Sequence, residues 1–177
     1  LLDYPGKVAC TLFSGGCNFR CPFCQNGNLV QHPEWEPVIP EEEIFAVLEK
    51  RRGVLDGVCV TGGEPTLDPD LERFVTKIKE LGYLVKLDTN GYRPEILKKL
   101  VEEKKIDYVA MDIKNAPSRY GETAGVKKID VMRINESVEF LKSGVVDYEF
   151  RTTLCKQLHG REELSLIHIS EPTRLDV

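Results

Sequence analysis

The stretch "VACTLFSGGCNFRCPFCQN" (residues 8–26) decides the fold, because it joins a strand pattern directly to a cysteine-rich loop. Residues 8–13 form a short apolar run of the kind that makes a buried β-strand. The loop after it places Cys17, Cys21 and Cys24 within eight consecutive positions. This stretch therefore predicts a strand that leads straight into a set of candidate ligands.

The rest of the chain repeats the order of strand and helix. Apolar runs predict four further strands, at 58–61, 83–89, 107–113 and 147–153. Apolar residues at helical spacing predict helices between them. One begins at Glu41 and carries Ile44, Val47 and Leu48 at helical spacing, and the next is opened by Asp68 and Pro69. Regular alternation of strands and helices predicts one α/β domain with a parallel sheet.

Chemically distinctive motifs follow the predicted strands. They are "TGGEPT" (61–66) after the second strand, "DTNG" (88–91) after the third and "MDIK" (111–114) after the fourth, and Arg151 lies late in the fifth. Because the carboxyl ends of parallel strands meet at one edge of a sheet, we expect these motifs and the cysteine loop to share one site.

Composition excludes several classes of function. The chain has 177 residues and a formal net charge of -5, which argues against general affinity for nucleic acid. No apolar stretch approaches the roughly 20 residues of a membrane span, and the first residues do not resemble a signal peptide. We therefore expect a cytoplasmic protein without a membrane partner. In that compartment cysteines are ligands, reactive thiols or core residues rather than disulfides.

The cysteine triplet has three chemical interpretations. A structural zinc site wants four ligands, and although His32, His159 or His168 could supply the fourth, none lies near a second cysteine pair. A redox pair of Cys21 and Cys24 leaves Cys17 without a role. Three thiolates on an iron–sulfur cluster leave one iron open, which suits catalysis. By contrast, the isolated Cys10 and Cys59 lie in predicted strands and are interpreted as core.

These motifs carry a resemblance. The Cys-x3-Cys-x2-Cys spacing, with Phe23 before the last cysteine, resembles the signature of the radical S-adenosylmethionine (SAM) enzymes, and "GGEP" (62–65) is similar to their second motif. Longer strings, "DGVCVTGGEPTL", "LVKLDTNGYRPE" and "DYVAMDIK", resemble the activating proteins of glycyl radical enzymes. Among these, the nearest likeness is to the anaerobic ribonucleoside-triphosphate reductase activating proteins.

The resemblance implies a fold and a reaction. The fold is a partial (β/α)6 barrel of parallel strands, which we expect to be incomplete at the C-terminus. The cofactors are a [4Fe-4S] cluster and SAM, whose reductive cleavage yields a 5′-deoxyadenosyl radical that takes a hydrogen atom from a glycine of the partner enzyme. The implied partners are a glycyl radical enzyme, with anaerobic ribonucleotide reductase first and pyruvate formate-lyase as the alternative, and a low-potential electron donor such as flavodoxin or ferredoxin. A non-catalytic metal-binding protein is the alternative of another class.

The resemblance also implies roles for residues. Cys17, Cys21 and Cys24 hold the cluster, and Asp88, Thr89 and Asp112 match positions that gather around a monovalent cation in related activators. The implied cofactor-binding residues are Phe23, Gly62, Gly63, Glu64, Asp88, Thr89, Asp112, Lys114 and Arg151. Their ordinary alternatives are a tight turn for 62–64, capping for the two aspartates and solvent exposure for the lysine.

The last residues depart from the family pattern. Residues 1–163 correspond to the radical SAM core, whereas "LSLIHISEPTRLDV" (164–177) lacks the expected helix and final strand. Within it, 166–170 alternates like a short strand. We expect this tail to be foreign to the family, and part of the wall around the nucleoside to be absent with it.

Overall fold

The computed structural model describes residues 3–160 and the backbone of a short strand at 173–176. Its strands are β1 (Ala9–Ser14), β2 (Gly57–Gly62), β3 (Leu84–Thr89), β4 (Tyr108–Asp112), β5 (Asp147–Thr153) and β6 (Thr173–Asp176). They form one parallel sheet in the order β1 to β6. The predicted α/β class is confirmed, and each of the five predicted strands lies within one residue of its expected bounds.

Helices connect the strands. They are α1 (Gly27–Gln31), α2 (Glu41–Lys50), α3 (Leu71–Glu80), α4 (Pro94–Glu102), α5 (Tyr120–Ala124) and α6 (Val131–Lys142). Helix α3 begins later than the sequence predicted, because Asp68 caps a turn instead and its carboxylate accepts a hydrogen bond from Asp70 N at 2.8 Å. Helices α1 and α5 were not predicted, since five residues are too few to show helical periodicity.

The hydrophobic core lies between one face of the sheet and the helices. Strand residues such as Val85, Leu87 and Val109 are fully buried against α3, α4 and α6. Helix α2 differs from the prediction in one respect. Leu48 is buried as expected, but Val47 is 55% exposed, and Phe45 packs on the core in its place.

The opposite face of the sheet is polar. Successive side chains of a strand point to opposite faces, so Lys86 and Asp88 of β3 share the face that the core does not use. Register places Asp112 of β4 beside Arg151 of β5 on that same face. Charged side chains therefore collect on the inner face, at the carboxyl ends of three adjacent strands.

Strand β6 corrects the expectation that residues 164–177 lack a final strand, because it extends the sheet beyond the five strands that the sequence predicted. It pairs in parallel with β5, placing Thr173 opposite Phe150. The strand-like pattern at 166–170 lies outside the described residues, and the division at residue 163 stays a prediction. Among the described strands β1 pairs only with β2, and β6 only with β5, so the sheet is open. None of the helices in the described part is long and apolar enough to cross a membrane.

Candidate functional site

The cysteine loop, residues 15–26, connects β1 to α1 and is held by backbone contacts on two sides. Gly16 N donates to Leu29 O at 2.7 Å, and Arg20 N donates to Ala124 O at the end of α5 at 2.8 Å. Phe19, between the first two cysteines, is buried. The loop is thus fixed by the packing of its non-cysteine residues, which leaves Cys17, Cys21 and Cys24 as half-buried free thiols.

A cavity of about 610 Å³ opens beside this loop, at the carboxyl ends of the strands. It is lined by all twelve predicted site residues: Cys17, Cys21, Phe23, Cys24, Gly62, Gly63, Glu64, Asp88, Thr89, Asp112, Lys114 and Arg151. Asn90 and Thr153 are among its further lining residues. A wider depression of about 950 Å³ beside the loop between α5 and α6 contains none of the predicted residues. The structure therefore gathers the predicted residues in one place, while their roles toward a cofactor stay predictions.

The two glycines of the "GGEP" motif lie against the chain's own backbone. A Cβ on Gly63 would stand 1.7 Å from Gly16 O, and one on Gly62, whose φ is +117°, would stand 2.4 Å from Ser14 N and O. Backbone hydrogen bonds join the same segments. Gly63 N donates to Ser14 O at 2.8 Å, and Glu64 N donates to Gly16 O at 2.8 Å. The absence of side chains at this turn lets the end of β2 close on the cysteine loop.

Glu64 ties the ends of β2 and β3 together. Its Oε1 accepts hydrogen bonds from Thr66 N at 3.1 Å, from Thr66 Oγ1 at 2.5 Å and from Thr89 Oγ1 at 2.7 Å. Its Oε2 accepts from Asn90 N at 2.7 Å. Burial raises the pKa of Glu64, and these four donors act in the opposite direction. Of the two roles considered for this carboxylate, fixing the loop is the one its contacts support.

Asn90 links the end of β3 to the cysteine loop. Its Nδ2 donates to Asn18 Oδ1 at 2.8 Å and lies 3.9 Å from Cys17 Sγ. Phe19 N approaches the same sulfur at 3.3 Å. Hydrogen-bond donors at a ligand sulfur stabilise its thiolate and set the potential of an attached cluster. Sequence analysis did not single out Asn90, although it stands inside the "DTNG" motif.

An ion-pair chain of five side chains, Lys86–Asp88–Arg151–Asp112–Lys114, crosses the inner face of the sheet. Arg151 Nη1 donates to Asp88 Oδ2 and its Nε to Asp112 Oδ1, both at 3.0 Å. The outer oxygens are bound by the ammonium groups, with Lys86 at Asp88 Oδ1 and Lys114 at Asp112 Oδ2. Both predicted aspartates are therefore paired with cationic side chains of this chain.

The pKa values of the side chains in the ion-pair chain follow from their pairing. Burial acts to raise the pKa of Asp112, but the Lys114 and Arg151 cations outweigh it and hold that pKa below its usual range. Burial likewise acts to lower the pKa values of Lys114 and Arg151, and the neighbouring carboxylates raise both. All three groups are charged at neutral pH, so the cavity wall carries two fixed cations, Lys114 and Arg151, paired with its aspartates.

The sequence analysis did not identify Lys86, although a lysine within an apolar run is a recognisable feature of the sequence. It is a lysine inside the apolar run 83–89, two positions before Asp88, and the structure buries it with only 1% of its side chain exposed.

His159 contacts the backbone of the "MDIK" motif, which its position in the sequence did not show. Its Nδ1 accepts from Cys155 N at 3.1 Å, so its Nε2 donates to Lys114 O at 2.8 Å.

The residues present fit a cluster better than a single metal ion. Within residues 3–160, no three His, Cys, Asp or Glu side chains converge on a point where one ion would bind, as a zinc site requires. The three thiols instead line a common wall, which suits a cluster whose irons each take one thiolate. Burial raises the pKa of Cys21 to about 11, and the nearby Lys114 ammonium favours its thiolate. The adjoining cavity has the size of a small-molecule site.

Comparison with known proteins decides the family. The model of the radical SAM superfamily matches residues 11–154. This chain belongs to the radical SAM superfamily. A relative from Methanocaldococcus jannaschii, provisionally named a glycyl-radical enzyme activating enzyme, is 33% identical over 92% of this chain and 68% of its own length. The 7-carboxy-7-deazaguanine synthase of Koribacter versatilis is 29% identical over 90% of this chain and 67% of its own.

Solved structures support the radical SAM fold. The structure of native anSMEcpe with bound AdoMet matches with a TM-score of 0.72 at 17% identity, over 95% of this chain and 51% of that one. At this identity the likeness concerns the fold alone, and it confirms the predicted partial barrel. The chain spans about half the length of that protein, and a [4Fe-4S] cluster with SAM is the cofactor set that radical SAM membership implies.

Proposed function

We propose that this radical SAM chain is the core of an activating enzyme that installs a glycyl radical on a partner protein. The observation that carries the proposal is the cavity at the strand ends, where three cysteines of one loop meet residues from four strands. A purely structural metal site needs only the cysteine loop. The additional charged and polar wall is what a cofactor with carboxylate, ammonium and sulfonium groups requires.

Within this proposal, Cys17, Cys21 and Cys24 would hold the [4Fe-4S] cluster through their thiolates. When bound, the cluster supplies the electron for reductive cleavage of SAM. Lys114 and Arg151 present positive charge to the cofactor carboxylate from the cavity wall.

The remaining residues shape the cavity. Phe23 covers the cluster or packs on the adenine, and the turn at Gly62–Glu64 sets the distance between the cysteine loop and the cofactor. Thr89 supports that turn through Glu64. These side chains therefore orient the cofactor and keep competing reactants away, while the bond-breaking chemistry belongs to the cofactor.

We propose anaerobic ribonucleoside-triphosphate reductase as the client, a cytoplasmic location, and flavodoxin or ferredoxin as the electron donor. The support is the resemblance of residues 1–151 to activators of that reductase, together with the Methanocaldococcus jannaschii relative whose name refers to glycyl radical enzymes. Pyruvate formate-lyase is the alternative client.

The test is anaerobic reconstitution of the chain with iron and sulfide, followed by reduction in the presence of SAM and each candidate client. We expect 5′-deoxyadenosine to form and a glycyl radical signal to appear in the electron paramagnetic resonance spectrum of the reductase. Cleavage without a radical on any client, but with formation of 7-carboxy-7-deazaguanine from a synthase substrate, would assign the chain to the other group of relatives. A colourless zinc adduct that never cleaves SAM would contradict the enzymatic proposal.

A further inference from the structure

The ion-pair chain leaves no carboxylate oxygen unoccupied. Asp88 and Asp112 together have four oxygens, and each accepts from a different cationic nitrogen: Lys86 Nζ, Arg151 Nη1, Arg151 Nε and Lys114 Nζ. An inorganic cation binds carboxylates through these same oxygens. Such an ion would therefore compete with the three cationic side chains for these oxygens and would be repelled by their charge.

Lys86 is the most deeply buried member of the ion-pair chain. Its side chain is 1% exposed, against 13% for Asp88 and 22% for Arg151. It rises from the middle of β3, where Cys59 of β2 and Tyr108 of β4 are its register neighbours. A lysine ammonium is a compact point charge, the closest side-chain equivalent of a monovalent ion.

We propose that Lys86 is a positioning residue of the cofactor site, and that its ammonium supplies at Asp88 the charge that an inorganic monovalent cation would otherwise supply. Lys86 neutralises Asp88 Oδ1, while Arg151 is shared between both aspartates and keeps a fixed place in the cavity wall. Within the ion-pair chain three cations outnumber two carboxylates, which keeps Lys114 and Arg151 in the cavity wall available to the carboxylate of SAM. The part of this inference that concerns SAM rests on the proposed function. The part that concerns the cation position rests only on the contacts of Lys86, Asp88 and Arg151.

The first experiment needs no cofactor. Thermal unfolding of the cluster-free chain is compared in potassium chloride and in tetramethylammonium chloride, both at about 0.1 M so that screening is matched. We expect the wild-type midpoint to be equal in the two salts. Lys86→Met vacates the cation position, so potassium should raise its midpoint by about 2–4 °C relative to tetramethylammonium.

Three variants control this measurement. Lys79→Met removes an ion pair to Asp107 outside the cavity and should show no preference for potassium. Lys86→Met combined with Asp88→Asn removes both partners, so the potassium effect should vanish. Lys86→Arg keeps the charge and should behave as the wild type. A wild-type midpoint that rises in potassium, or a Lys86→Met chain that shows no potassium effect or folds in neither salt, would overturn the proposal.

The second experiment measures SAM affinity of the reconstituted protein in the same two salts. We expect no dependence on the salt for the wild type. Lys86→Met should lose about tenfold in tetramethylammonium, the loss of one charge-assisted contact, and regain it in potassium. An equal loss in both salts would show a merely structural role. A wild-type protein that binds no SAM refutes the proposed function, whereas the unfolding result judges the assignment of Lys86 separately.

Discussion

Glu64 lines the cavity and at the same time holds two strand ends together. Its carboxylate receives four donors from this chain, so removing it leaves buried N–H and O–H groups of Thr66, Thr89 and Asn90 without an acceptor. At the scale of single residues, a role in cofactor binding and a role in folding therefore need separate measurements.

For Glu64→Ala we expect a loss of stability in the cluster-free chain, about 1–3 kcal/mol for each buried donor left unsatisfied. SAM affinity should fall at least tenfold as the turn loses its support. Thr89→Val removes one of the four donors, so its losses of stability and of SAM affinity should both be smaller than those of Glu64→Ala. Urea unfolding and calorimetric binding measure the two quantities. An unchanged urea midpoint in Glu64→Ala would refute the structural role.

For the cysteines we expect Cys17→Ala, Cys21→Ala and Cys24→Ala each to lose the cluster, because every missing thiolate opens another iron. Cys10→Ala and Cys155→Ala are the matched controls, since neither thiol lines the cavity. Iron and sulfide content after anaerobic reconstitution decides the question. Full cluster content in Cys21→Ala would contradict this assignment.

At the scale of elements, the cysteine loop and the end of β2 behave as one unit. The loop bonds to the backbone of the "GGEP" turn, and a Cβ on Gly63 would meet Gly16 of the loop, while one on Gly62 would meet Ser14 at the end of β1. The geometry of the three thiols is consequently set by strand β2 as well as by the loop itself.

For Gly63→Ala we expect a loss of about 3 kcal/mol or more and poor cluster incorporation, since the new methyl group would meet the rigid backbone at Gly16. Gly27→Ala is the control. It lies in α1, where an added Cβ would meet no other atom within 4 Å, so stability should be unchanged or rise by up to about 1 kcal/mol. Urea midpoints and iron content report both effects. Equal behaviour of the two variants would show that the close approach is unimportant.

At the scale of the whole molecule, parallel strands bring side chains from distant parts of the sequence to one edge. Asp88 and Arg151 are 63 positions apart, yet their side chains meet at 3.0 Å. The ion-pair chain thereby links β3, β4 and β5 across the open face of the sheet, so stability and the shape of the cavity depend on the same charges.

This linkage predicts a dependence of stability on pH. The folded chain holds the pKa of Asp112 below the roughly 3.9 of an unfolded carboxyl group. Its stabilisation is therefore complete above about pH 4 and is lost as the pH falls through the folded pKa. We expect Asp112→Asn to cost about 1–3 kcal/mol at neutral pH, and the difference from the wild type to shrink below about pH 4.

Urea unfolding at neutral pH and below about pH 4 measures the difference in stability between the wild type and Asp112→Asn. Glu80→Gln changes a carboxylate at the end of α3, outside the cavity, and should remain near the wild type at both. A gap between the wild type and Asp112→Asn that is as wide in acid as at neutral pH would contradict the assigned pairing.

The sequence by itself determined five of the six described strands, their parallel arrangement and twelve residues that line one cavity. Each apolar run is short and interrupted by turn residues, so strand bounds were readable to within one residue, and strand ends in a parallel sheet share an edge whatever the details of packing. The cysteine spacing likewise has few chemical uses. For these reasons all twelve predicted residues line one cavity.

Only the tertiary structure decided what those residues touch. Lys86 became the partner of Asp88 because alternation along β3 places both on the inner face, where no sequence pattern shows which charges on other strands lie near. Glu64 proved to be enclosed by donors of its own chain, and the glycines to be packed on backbone. Val47 proved exposed because helical spacing fixes the relative directions of side chains, whereas the sheet that packs against them decides which direction is inside.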